Sequence, residues 1–282
     1  MATQQIRPGV DSISPELSAR FDELDLWDNA RDLVEDGYTI IQDPAAHAIT
    51  DELREAILRL SQTSDAENKG RRAGLLLGRD PVFAKAVTVP RLLALAEFLL
   101  GRGMLLSQLL GTIRGPGGGN LGLHADNSWF PEPFPSWEIM CTACWVTDEF
   151  TEEHGATMII PGTHKQKRHP PRDVRKSLEG ARAIVAPKGS ICLWDGSVWH
   201  GNYARKTPGE RVVLHTTFTR LGMQPIDDYS HLDDAWLEQN ASELRGLLGR
   251  DLFFHSTTET SGQTDQEKLR HTYRLVHGPQ GY

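Results

Sequence analysis

The sequence contains no long apolar run. Stretches such as Leu75–Leu77 and Leu92–Leu95 fall far below the roughly 18 residues that a membrane span needs. An excess of basic side chains is also missing. Thirty Lys and Arg against 38 Asp and Glu leave a formal net charge of −8, which argues against nucleic-acid binding by phosphate neutralisation, since that mode needs a basic patch. Met1–Asp11 is polar and lacks the basic-then-apolar order of a signal peptide, so a cytoplasmic protein is expected. Cysteine is scarce. Its three copies (Cys141, Cys144 and Cys192) cannot all pair within one chain, and reduced thiols are expected. Cys141-x-x-Cys144 has the spacing of a redox or zinc pair, but Trp137–Val146 around it reads as a strand and no second pair exists; packing is the preferred reading. Internal repeats and low-complexity tracts are absent as well.

What is present is an ordinary globular composition, 39% hydrophobic, in a length of 282 residues that suits one large domain. Residues 1–282 are expected to form a single domain with three parts. Residues 20–101 read as a helical flank. Apolar residues at Leu24, Trp27, Ala30, Leu33 and Val34 give Asp22–Glu35 helical spacing, with Gly37 just past its end. A short strand follows at Tyr38–Ile41, then a helix capped by Thr50 and running to about Leu60. Ser61–Arg72 reads as an exposed loop, and Pro90 and Gly101 bracket a helix over Arg91–Leu100. Residues 102–221 are β-rich. Runs at Met104–Arg114, Leu121–Asp126, Glu138–Val146, Ala156–Ile160, Ala181–Val185, Ser190–Trp194, Val198–Ala204 and Arg211–Arg220 alternate with Gly/Pro turns, the pattern of a sandwich or double-sheet jelly roll. Residues 222–282 form a helical or irregular appendage, with Ser230 capping Leu232–Leu248; Trp236–Leu248 offers either a homodimer face or a cap on the core. The fold class is mainly β with flanking helices (α+β).

Eleven histidines are spread along the chain. In His124-Ala-Asp126, read as part of a strand, residues two apart share a face, so an imidazole and a carboxylate can reach one point. A third ligand would complete the two-histidine, one-carboxylate facial triad of non-haem Fe(II). The sequence carries its own control in His231-Leu-Asp233, at the start of a helical pattern. Two residues apart on a helix diverge by about 200°, so that copy reads as capping and surface charge. The first copy follows the turn Gly115-Pro-Gly-Gly-Gly119. His200 lies 76 residues after His124, and Arg211 opens the next strand eleven residues later. Such an arginine can grip a carboxylate in a two-pronged pair.

In this order His124, Asp126, His200 and Arg211 resemble the phytanoyl-CoA dioxygenase family. Gly155-Ala-Thr-Met-Ile-Ile-Pro-Gly-Thr-His-Lys165 resembles the family's apolar strand closing in Pro-Gly-Ser-His, and Asp36-Gly-Tyr-Thr-Ile-Ile41 resembles its opening strand. The likeness spans roughly residues 30–220. It implies a double-stranded β-helix (jelly roll, cupin-like) core and an Fe(II)- and 2-oxoglutarate-dependent oxygenase that consumes O2. His124, Asp126 and His200 would then be both the metal ligands and the catalytic centre. Arg211 would bind the distal carboxylate of 2-oxoglutarate, with Asn202, Trp145 and Gln108 as further co-substrate contacts. The implied reaction is hydroxylation of an unactivated C–H of a small-molecule metabolite, releasing succinate and CO2. A carboxylate at position 126 fills the place that related halogenases leave open for halide, which favours hydroxylation over chlorination.

The reach of the parts adds a topological expectation. If 199–204 and 211–220 formed a plain hairpin, Arg211 would oppose about Lys206, six residues and roughly 20 Å from His200. An arginine plus a five-carbon diacid does not span that. The two strands are therefore expected in opposite sheets, with Thr207–Glu210 turning the corner. The stretch Asn127–Ser136, rich in proline and aromatics, reads either as a wall over the substrate or as a surface loop packed on the rim. Lys69, Arg71 and Arg72 read as a solvated charge run that an anionic substrate could also meet. His154 and His164 read as turn residues near the surface. His169, His215, His255, His271 and His277 have no partner pattern and read by default as satisfied or solvated, although His215, four after Arg211 on the same face, could also sit inside the barrel. The alternatives are a non-catalytic jelly-roll protein that binds a small molecule or a metal, a cupin-type enzyme without 2-oxoglutarate, and an interaction module with a fortuitous triad.

Overall fold

The computed structural model describes residues 13–61, 63–65, 70–119, 121–254 and 263–278. In chain order the helices are α1 (Pro15–Leu24), α2 (Trp27–Glu35), α3 (Pro44–Leu60), α4 (Pro81–Val87), α5 (Pro90–Leu100), α6 (Arg172–Ser177), α7 (Asp234–Glu238), α8 (Glu243–Leu247) and α9 (Gln263–His277). The strands are β1 (Tyr38–Ile41), β2 (Thr63–Asp65), β3 (Gly70–Ala73), β4 (Leu105–Arg114), β5 (Met140–Val146), β6 (Thr157–Ile160), β7 (Arg182–Ala183), β8 (Ile191–Asp195), β9 (Trp199–Asn202) and β10 (Arg211–Thr219). They form a seven-stranded antiparallel sheet in the order β1-β8-β5-β10-β4-β3-β2 and a three-stranded sheet in the order β7-β6-β9. The two sheets face each other as a jelly roll.

Period-two alternation assigns the faces. On β10, Val212, Leu214 and Phe218 join the core cluster beneath the helices, while Arg211, His215 and Thr217 line the interior. On β5 the same parity sends Cys141, Ala143 and Trp145 to the helices and Thr142 and Cys144 inward. Helices α2, α3, α5 and α8 touch the outer face of the large sheet. Strand β9 lies in the small sheet and β10 in the large one, the arrangement that side-chain reach demands.

Several local expectations are corrected. The helix expected over Asp22–Glu35 is two helices, because Asp25 takes a left-handed conformation (φ 51°). That turn lets both Phe21 and Leu26 enter the core. Helix α3 begins earlier, with Asp43 capping and Pro44 in the first turn; Thr50 lies mid-helix and donates its hydroxyl to the Ala46 carbonyl. Ser61–Arg72 is not a plain loop, since β2 and β3 extend the large sheet through Gly70–Ala73 paired with Gly111–Arg114. A Cβ at Gly70 would lie 2.0 Å from the Ile113 carbonyl oxygen, so a glycine is required there. Arg71 turns outward to Glu210 at 3.0 Å, Arg72 lines the cavity, and Lys69 lies outside the described residues. The long C-terminal helix is two short ones, α7 and α8, and Asp233 caps α7 through the Trp236 amide. Leu237, Leu244 and Leu247 are buried, with Trp236 and Leu248 packed beside them, so this segment covers the core. Among the described residues no helix is long and apolar enough to cross a membrane.

Candidate active site

Leu121–Asp126 is not a strand. His124 makes a single antiparallel bridge to His200 on β9, and Asp126 opens a 3-10 turn at Asp126–Trp129. The two histidines exchange both backbone hydrogen bonds, at 2.8 and 2.9 Å, so ligands 76 positions apart sit side by side. Gly201 permits this approach, since a Cβ there would fall 2.4 Å from the Leu121 carbonyl oxygen. The 3-10 turn then brings the Asp126 side chain back towards both rings. Its Oδ1 lies 3.6 Å from Nε2 of His124 and 3.4 Å from Nε2 of His200, and the imidazole centroids are 4.3 Å apart.

The hydrogen bonds around these three side chains leave one donor atom of each aimed at a common point. Nδ1 of His124 meets the Gly122 carbonyl at 3.0 Å, and Nδ1 of His200 meets the Val198 carbonyl at 3.1 Å. A carbonyl can only accept, so each Nδ1 carries a proton, and in the neutral imidazole each Nε2 keeps its lone pair. Oδ2 of Asp126 is occupied by the Thr142 hydroxyl (2.8 Å) and the Trp194 indole N–H (2.9 Å), leaving Oδ1 for the site. Burial works against charging Asp126, but the two imidazoles overcome it and hold its carboxyl well below the usual range. Burial likewise opposes charging His124, and the Asp126 carboxylate outweighs it, so this imidazole is raised. A negative charge and two imidazole lone pairs, concentrated within 4.8 Å, form the donor set that Fe(II) takes in a facial triad. The residues present fit that ion.

Removing either group that holds Oδ2 tests this support. Thr142→Val strips a hydrogen bond from a buried carboxylate while keeping the shape nearly unchanged, and Trp194→Phe strips the other while putting a smaller ring in a buried site. Each is expected to weaken metal binding about 10- to 100-fold, read by metal titration of the apo chain.

The triad borders a cavity of about 340 Å3 between the sheets. Arg211 lines it from β10 and is 2% exposed. Its guanidinium donates to the Gly155 carbonyl and stacks near Phe150, while Nε has no partner. No carboxylate among the described residues lies within ion-pair distance of it. Burial lowers its pKa to about 10, with Arg114 and Arg205 adding to the effect, yet it remains charged at neutral pH. A buried cation facing a cavity without its own anion is a fitting anchor for a carboxylate brought by a ligand.

Asn202 and Gln108 line the same cavity; Trp145 does not. Trp145 sits on the opposite face of β5, under the helices, and the co-substrate contact expected of it is withdrawn. Two helpers had no signature in the sequence, Thr142 and the Trp194 indole, since both residue types are common in buried strands. Arg114 likewise lines the cavity unannounced. Of the stretch 127–136, Phe134 is buried against the outer face of the small sheet, while Trp129 lines the cavity mouth and is 75% exposed. Cys141 and Cys144 face opposite sides of β5 and cannot share an ion; burial pushes the Cys144 thiol up to about 12. His164 is buried rather than at the surface, its Nε2 meeting the Val34 carbonyl at 3.2 Å.

His215 is inside the barrel, as its spacing from Arg211 suggests. Burial, followed by the Arg211 charge, lowers its pKa to about 3. Between pH 6.5 and about 3 the unfolded chain therefore binds a proton here that the folded chain refuses, and stability falls as pH falls. His215→Asn is expected to make the acid side of the stability curve shallower by up to one proton, about 1.4 kcal/mol per pH unit, in denaturant titrations from pH 7 to 4.

Two facing antiparallel sheets around a two-histidine, one-carboxylate centre define a jelly-roll metal-dependent oxygenase. Residues 33–213 match the family described as Phytanoyl-CoA dioxygenase (PhyH). The chain belongs to that family of Fe(II)- and 2-oxoglutarate-dependent dioxygenases. Among its relatives, uncharacterized protein Rv1501 of Mycobacterium tuberculosis is 24% identical over 230 residues, covering 76% of this chain and 82% of that one. Dioxygenase af480 of Aspergillus fumigatus is 31% identical over 164 residues, covering 56% of this chain and 52% of that one. The crystal structure of HygX from Streptomyces hygroscopicus, with nickel and 2-oxoglutarate bound, superposes with a TM-score of 0.57 at 17% identity, covering 80% of this chain and 94% of HygX; that likeness concerns the fold.

Proposed function

We propose that the chain hydroxylates an unactivated C–H of a small-molecule metabolite in the cytoplasm, with release of succinate and CO2. The observation that carries this reading is the convergence of His124, Asp126 and His200 at the wall of a cavity whose far side holds the buried cation Arg211. Fe(II) bound there with 2-oxoglutarate supplies the activation of O2 that C–H oxidation requires. His124, Asp126 and His200 would hold the ion and leave the remaining coordination positions open to exchangeable ligands. Arg211 would take the distal carboxylate in a charge-assisted pair and so fix which way the diacid points. Asn202 and Gln108, on the same walls, are offered as further contacts to it. Asp126 occupies a ligand position that a halide would need, which favours oxygen transfer.

Trp129, Leu121 and Ile226, the exposed large apolar residues of the cavity lining, are offered as the entry for the primary substrate. The test is a screen of small metabolites with Fe(II), 2-oxoglutarate and O2. Succinate formation should match, mole for mole, a substrate gain of 16 mass units. Absence of succinate with any substrate, with iron demonstrably bound, would overturn the proposal.

A further inference from the structure

Strand β10 points Arg211, Val213, His215 and Thr217 to the interior, about 7 Å apart at each step of two. The Thr217 end is the metal end. Its hydroxyl lies 3.3 Å from that of Thr142, which in turn donates to Asp126. At the other end the Arg211 guanidinium reaches the Gly155 carbonyl. His215 stands between them on the cavity wall. Its ring meets Trp194 edge-on, with centroids 6.1 Å apart, and its cross-strand neighbours are Leu110 and Cys144. Neither ring nitrogen has a hydrogen-bond partner among the described residues, so a polar group faces the cavity without a protein group to satisfy it.

A diacid stretched from the metal to Arg211 has to run past this ring. We propose that His215 is a co-substrate-binding residue, its neutral imidazole donating a hydrogen bond to a carboxylate oxygen of bound 2-oxoglutarate. The inference rests on the oxygenase reading above and adds a specific contact to it. Neutrality suits the role: the two negative charges of the diacid are already matched by the metal and Arg211, and a second cation beside Arg211 would be repelled by it. Burial and the Arg211 charge keep the ring uncharged throughout the working pH range.

The experiment is calorimetric titration of 2-oxoglutarate into the full chain loaded anaerobically with Mn(II), for wild type, His215→Leu and His215→Asn. Leucine removes the donor and should weaken 2-oxoglutarate binding about 10- to 100-fold. Asparagine restores an N–H and should stay within about threefold of wild type. Metal affinity, titrated separately, should be unchanged in both. Equal 2-oxoglutarate affinity in all three proteins, or equal losses in both variants, would overturn the inference, as would a loss of metal affinity. Should the leucine variant fail to fold, the imidazole 15N resonances of the Zn(II)-loaded wild type decide, with His215 assigned from the asparagine variant. The N–H signal must move on adding 2-oxoglutarate, and an unmoved signal overturns the contact. A wild type that binds metal but no 2-oxoglutarate defeats the oxygenase reading itself, an outcome distinct from failure at His215.

Discussion

Exchanging His200 for alanine should strip the purified chain of its metal and lower 2-oxoglutarate-dependent succinate formation by at least about 1,000-fold, some 4 kcal/mol of transition-state stabilisation. The size follows from the position. His200 is 5% exposed, supplies one of three donor atoms, and has its tautomer fixed by the Val198 carbonyl. Alanine leaves an apolar gap that offers no lone pair, while Asp126 and His124 remain without the third corner. The backbone bridge between His124 and His200 does not involve the side chain, so the variant should fold, and circular dichroism would confirm it. Elemental analysis after dialysis and a succinate assay are the two readings. Retention of turnover within tenfold of wild type would place the reaction elsewhere.

Arg211→Met is expected to raise the KM for 2-oxoglutarate about 100- to 1,000-fold, because truncating one partner of a buried charge pair costs about 2–5 kcal/mol. Methionine keeps most of the volume but offers the carboxylate nothing. A second comparison isolates the contact. Pyruvate, a 2-oxo acid with no distal carboxylate, should bind wild type weakly and be nearly indifferent to the substitution. If Arg211→Met weakens pyruvate and 2-oxoglutarate equally, Arg211 serves the fold rather than the diacid. The unpartnered Nε and the bond to the Gly155 carbonyl make both measurements interpretable, since the guanidinium is already held at one corner.

Much of this was legible in the residues, though not always for the right local reason. His124 and Asp126 do converge, but a 3-10 turn brings the carboxylate round where a strand was expected. The Pro/Gly-punctuated runs revealed β-structure, and the reach argument placed β9 and β10 in different sheets. Trp145 reads as inward from the sequence but lies under the helices, because β5 is buried on both faces. With Thr142 the single hydroxyl on the strand, alternation carries too little contrast to say which residues look inward. The β2–β3 hairpin carries no strand signal in the residues, since Gly-Arg-Arg-Ala has neither the branched nor the aromatic residues that mark a strand. Asp43-Pro44 outranked Thr50 as a helix start because it joins a capping carboxylate to a ring already set at the helical φ.

His200 belongs to one sheet and Arg211 to the other, so a diacid held at both ends would act as a strut braced across the barrel. A strut is also a gauge: two-oxo diacids one carbon shorter or longer would force the walls to shift or leave one end unseated. Loading the co-substrate should for the same reason slow the relative breathing of the two walls, which amide hydrogen exchange along β6 and β10 would register.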